Sequence, residues 1–132
     1  MKLPIVMSII LLFVSCEDNS VKPENQNHRP VIFSLSVFPN IIGPQDSAIV
    51  ICNAYDPDGD TLVYDWISDG KSKIKGTLFD ELFLYNTYEN YRVVYPKNLN
   101  PIPIDTLWIQ CFARDRKGMS DAQLISFILY QE

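Results

Sequence analysis

From Arg29 onward, apolar and polar residues alternate in short runs, which is the period of a half-buried strand rather than a helix. Val31 to Phe38 predicts a strand closed by Pro39, and Ile41 to Asp46 a corner. Ser47 to Tyr55 alternates, with Val50, Cys52 and Ala54 on one face. Thr61 to Ser68 follows, with Leu62, Tyr64 and Trp66 on one face and Asp65 on the other. Lys73 to Phe79 predicts a short strand whose lysines suit an exposed edge. Tyr91 to Tyr95 is stopped by Pro96, and Lys97 to Ile104 is an extended connection carrying Pro101 and Pro103. Asp105 to Ala113 puts Leu107, Ile109, Cys111 and Ala113 on one face, and Gln123 to Tyr130 is the last strand. Asp80 to Asn90, with Leu82, Phe83, Leu84, Tyr85 and Tyr88, reads equally as a strand or as one helical turn. There is no internal repeat and no amphipathic helix of useful length. About seven short strands separated by Gly, Pro and Asp turns predict an all-β, antiparallel β-sandwich.

The stretch that organises these strands is Ala54-Tyr55-Asp56-Pro57-Asp58-Gly59-Asp60-Thr61-Leu62-Val63-Tyr64-Asp65-Trp66. Pro57 presets φ for the first central position of a type I turn, Asp56 can bond back to the backbone, and Gly59 accepts the left-handed conformation that follows. The two strands joined here are expected in different sheets, with Trp66 and Tyr64 filling the core between them.

Ahead of this domain the pattern differs. Lys2 precedes an apolar run of twelve residues, Leu3 to Val14, which has the length of a signal-peptide core. A bilayer span takes about 20 residues. The run ends at Phe13-Val14-Ser15-Cys16, which resembles a bacterial lipobox, where a small residue precedes a Cys that is lipidated. An ordinary signal peptide with an incidental Cys is the alternative. The expected organisation is a lipoprotein signal peptide over 1–15, the lipidated Cys16 and a flexible tether over 16–29, and one β-sandwich domain over 30–132. The tether holds one aliphatic residue and cannot bury enough to order itself. By coil scaling it spans roughly 20 Å. His28, the one histidine, is expected to be solvated at its end.

The formal charge of −5 decides one class of partner. Removing the leader takes away Lys2 and leaves ten basic residues against sixteen acidic ones. An acidic domain without a basic stripe argues against nucleic acid and against electrostatic docking on anionic lipid.

Arg29-Pro30-Val31-Ile32, the Asp56-Pro57-Asp58-Gly59-Asp60 turn, Tyr64-Asp65-Trp66 with Asp69-Gly70, and Ala113-Arg114-Asp115-Arg116-Lys117-Gly118 resemble PKD-type and related bacterial Ig-like domains. The likeness covers about residues 29 to 130. The Trp-x-Phe-Gly-Asp-Gly of typical PKD domains is here Trp66-Ile67-Ser68-Asp69-Gly70. The resemblance implies a binding, spacer or adhesion module without naming a ligand. The order Cys52, Trp66, Cys111 resembles the immunoglobulin pattern and implies a disulfide between the sheets. Two buried free thiols are the alternative.

Three candidate sites remain. Asp56, Asp58 and Asp60, with Asp115 from the later turn, invite calcium, which takes several carboxylate oxygens. The spacing is not that of an EF-hand, and a capped turn with solvated carboxylates is the plain alternative. Trp108 and Phe112, with Val63 and Ile67 beside them, are expected on the outer face of one sheet and form a candidate partner surface. The Asp80 to Ile104 excursion folding over that face is the alternative. No nucleophile is paired with a base, so no enzyme is expected. The sequence therefore predicts a lipid-anchored protein of the bacterial cell envelope, at the outer membrane or cell surface. It would display one Ig-like domain for non-catalytic binding of a protein or glycan. A structural accessory subunit of an envelope complex is the alternative, and a small glycan-active enzyme a distant one.

Overall fold

A computed structural model describes residues 26–76, 80–97 and 104–130. The leader, Cys16 and most of the tether lie outside the described residues, as do 77–79 of the strand expected over Lys73 to Phe79 and most of the proline-rich connection. Among the described residues ten strands form the fold: β1 Val31–Phe38, β2 Ile41–Ile42, β3 Ala48–Tyr55, β4 Val63–Ser68, β5 Ser72–Lys75, β6 Asp80–Glu81, β7 Phe83–Thr87, β8 Tyr91–Pro96, β9 Ile104–Arg114 and β10 Ser120–Tyr130. They make two five-stranded sheets, ordered β1-β3-β8-β5-β6 and β2-β10-β9-β4-β7. The pairings are antiparallel except for the short β2–β10 pair. This is an Ig-like β-sandwich.

β3 and β4 lie in different sheets, so the acidic turn carries the chain from one layer to the other. Trp66 is fully buried and Tyr64 nearly so, with their rings 6.4 Å apart. Val50 and Val94 come from one sheet and Leu107, Ile109 and Phe127 from the other, and they close the core around Trp66. The inward side chains come from alternate positions, as the pleat requires.

The described residues of the excursion after β5 form three strands, β6 to β8, interrupted at Leu82 and over Tyr88 to Asn90, and no helical turn. The excursion builds sheet rather than covering it: β7 extends one sheet beyond β4, and β8 is inserted between β3 and β5 in the other. That insertion corrects the reading of β5 as an exposed edge. β5 has β8 on one side and β6 on the other, and Ile74 is fully buried. The true outer strand beside β3 is β1. Its backbone is held from the facing sheet, where Asp121 Oδ2 accepts from Ile32 N at 2.8 Å and Gln123 Nε2 donates to Ile32 O at 2.9 Å.

The candidate outer surface is corrected in part. Val63 is buried, because Arg114 stands opposite it in register and reaches past it to Asp65 and Asn86. Trp108, Phe112 and Ile67 are half-buried. Leu124 and Ile128 stand exposed beside them on β10. The outer face of the other sheet is more apolar than alternation suggested: Phe33, Phe38, Ile49, Ile51 and Tyr91 are all exposed on it.

The expected bridge between Cys52 and Cys111 is replaced by two free, fully buried thiols. The neighbouring Cys52 thiol and burial push the Cys111 thiol up. Alternation places both residues on the inward face, but it does not fix the Cβ directions a bond requires. Such thiols are inert in the native state. Alkylation of the folded, unreduced protein should leave both unlabelled, and alkylation after unfolding, still without reductant, should label both. Labelling of neither after unfolding would show a bond between them.

Candidate metal centre

Two turns of the same design meet at one end of the sandwich. In the first, Gly59 N donates to Asp56 O at 3.0 Å and Gly59 takes φ 76°, as a type I turn followed by a left-handed residue demands. Asp56 Oδ1 caps this turn, accepting from Asp58 N at 2.8 Å and from Asp60 N at 3.3 Å. In the second, between β9 and β10, Asp115 Oδ1 accepts from Lys117 N at 2.9 Å and Met119 N at 2.8 Å. Each aspartate spends one oxygen on its own turn and keeps the other.

Because β4 pairs with β9 through Val63 opposite Arg114, the two turns lie side by side. Asp56, Asp60 and Asp115 each bring an oxygen within 4.8 Å of the others. Asp115 is fully buried. Asp56 Oδ2 is buried and has no hydrogen-bond partner among the described residues. Asp60 Oδ2 meets the Lys117 ammonium at 2.8 Å, its one charged partner among the described residues. Asp115 Oδ2 accepts from Asn27 Nδ2 at 2.6 Å, and the remaining amide oxygen of Asn27 is buried without a partner among the described residues. Three carboxylates against one ammonium leave two negative charges, the complement of one divalent cation.

These residues fit calcium. It takes six to eight oxygens at about 2.3–2.6 Å, mixing carboxylates, amide carbonyls and water. Asp56, Asp60 and Asp115 would supply the protein share, with the Asn27 amide beside Asp115. Oxygens buried without partners are unfavourable unless something compensates them, and one cation held among the three carboxylates would do so.

Asp58 does not join this cluster. It turns to the tether, where His28 N and His28 Nδ1 both contact its carboxylate, the latter at 2.8 Å. His28, expected to be solvated, is exposed and also contacts Asp58. The sequence reading brought together Asp56, Asp60 and Asp115 and misplaced Asp58. It missed Asn27, His28 and Lys117. The signal available for Asn27 and His28 was two polar residues immediately before the Arg29-Pro30 entry to β1. Lys117 stands two residues beyond Asp115 in a turn too short to carry it far.

No protein-family model matches the chain, and no curated protein matches it in sequence. Among solved structures it is similar to a lipoprotein from Bacteroides thetaiotaomicron determined by solution NMR. The TM-score is 0.49 at 17% identity, over 79% of this chain and 82% of that one.

Two of these carboxylates report on acid stability. The backbone N–H and ring of His28 hold Asp58 below the usual carboxylate range. Burial pushes Asp115 up, but hydrogen bonds from Asn27 and from the backbone of Met119, Lys117 and Gly118 outweigh it and leave it lowered. A depressed folded value gives stabilisation that is complete above the unfolded value near ~3.9 and is lost as pH falls through the folded one. The melting temperature should therefore be flat above about pH 5 and fall steeply below about pH 4. Asp58→Asn should make that acid limb shallower, and an unchanged limb would remove Asp58 from the account.

Proposed function

We propose that this chain is a lipid-anchored, non-catalytic module of the bacterial cell envelope. Its Ig-like domain, of PKD type, is fastened to its tether by a divalent cation and offers its far surface to a protein or glycan. The observation that carries this reading is the path of the chain. An apolar leader ends at Cys16, a polar stretch follows, and its last residues, Asn27 and His28, are bound to the acidic end of the sandwich. A polar stretch of this composition would otherwise stay unattached. Fastening it at two side chains fixes which end of the domain faces the membrane. The non-catalytic reading is supported by the same contacts: the one histidine is tied to Asp58, and both described cysteines are buried.

Two experiments separate the anchor from the cation. Cys16→Ser should abolish both membrane association and the lipid-dependent shift in mass, and persistence of either would remove the lipid. Calcium at tenfold its dissociation constant should stabilise the protein by about 1.4 kcal/mol. For a domain of this size that is a rise of roughly 6–11 °C in melting temperature over the chelated sample. Asp60→Asn should abolish the rise, and no rise in the native protein at millimolar calcium would exclude the cation.

A further inference from the structure

The opposite end of the sandwich carries a second site of contrary charge. Between the loop before β3 and the outward side chains of β5 and β8 lies an open groove of about 730 Å³. Lys73, Lys75 and Lys97 line it, with Tyr95 and Val93 among the other lining residues. Register explains the grouping: Lys73 stands opposite Tyr95 across the β5–β8 pair, so one lysine and one aromatic ring share a row. The five described lysines divide cleanly. Lys71 and Lys117 are each in an ion pair, with Asp105 and Asp60. The three without an ion-pair partner among the described residues all line this groove. The one carboxylate in its wall, Asp46, is occupied with Gly43 N at 2.9 Å. The Tyr95 hydroxyl is buried without a hydrogen-bond partner among the described residues.

We propose that this groove binds an acidic saccharide, with its carboxylates on the lysines and a sugar face on Tyr95. The argument has three parts. In a protein of net charge −5, a local excess of positive charge concentrates a small anion where the rest of the surface repels it. Ammonium groups pair with carboxylates as compact point charges, without demanding one fixed orientation. The Tyr95 ring is half-buried with its hydroxyl turned from solvent, so what it offers is a flat apolar surface on which the face of a pyranose ring can pack. Position agrees with this role. The tether is bound at the end of β3 that leads into Asp56, and the groove lies at its beginning. Eight strand residues separate them, about 26 Å. The groove therefore faces away from the membrane. The proposal rests on the domain being a non-catalytic binder. It does not depend on the cation, so either can fail alone.

The test is calorimetry on the full-length protein in detergent, with trigalacturonate, neutral trigalactose and a triglutamate peptide as probes. Trigalacturonate should bind and weaken markedly between roughly 0.05 and 0.5 M salt, where the screening length falls to a few ångströms. The neutral sugar should bind at least about tenfold more weakly. Lys73→Gln with Lys97→Gln should reduce affinity for the acidic sugar by a similar factor at unchanged melting temperature. Should that pair unfold, the single exposed Lys75→Glu makes the same test. Equal binding of the neutral sugar, preference for the peptide, indifference to the lysines or no binding at millimolar probe would each overturn the proposal.

Discussion

The pairing of β4 with β9 is the constraint on which the rest depends. Six residue pairs, from Val63–Arg114 to Ser68–Ile109, fix one register. That register sets Trp66 beside Cys111 within the core and brings the Asp56 turn against the Asp115 turn outside it. Because side chains alternate with a period of two, a slip of one residue would turn Trp66 to solvent and pull the two turns apart. The apolar interior and the acidic end are therefore specified by the same ladder. The Arg114–Asp65 pair on the outer face, with contacts of 3.0 and 3.3 Å and a further bond from Arg114 to Asn86 at 2.7 Å, locks β7 to it. Such a partly exposed pair contributes modestly to stability, but it ties three strands in one step.

Much of the fold was legible because β3 and β9 bury the alternate residues expected of them, Val50 and Cys52 on one and Leu107, Ile109, Cys111 and Ala113 on the other, although Ile49 and Ile51 make β3 apolar on both faces. The crossing at Asp56 was readable from its turn chemistry. β5 misled because Lys73 and Lys75 face outward while the strand itself is interior to its sheet. Lysine pattern reports which face is wet, not which neighbours a strand has. The stretch after it was ambiguous because Leu82 to Tyr85 is apolar at every position and has no period to read. β2 is two residues long and escapes any periodic test.

The candidate metal centre divides the same way. Asp56, Asp60 and Asp115 were visible because turns advertise their carboxylates. Asn27 was invisible because its partner lies 88 residues away, and no local pattern encodes such a contact. Lys117 illustrates a different limit. Its ammonium sits where a cation would help, and it is itself raised by the hydrogen bond to Asp60. The chain thus carries part of its own neutralising charge. Composition counts Lys117 as one cation among eleven and cannot tell that its role is local.

The fastening of the tether has a mechanical consequence. Were the proposed anchor and the proposed ligand both engaged, the pull between them would act on opposite ends of the sandwich, with the acidic turns at one end and the groove at the other. That load runs lengthwise along β1 and β3, whose seven cross-strand pairs span the sheet. Hydrogen bonds loaded along the strand direction must shear together, whereas bonds loaded across it open one after another like a zip. On that reading the sandwich would meet tension in its stiffer direction, and the first contacts to yield would be the side-chain contacts of Asn27 and His28 rather than the sheets.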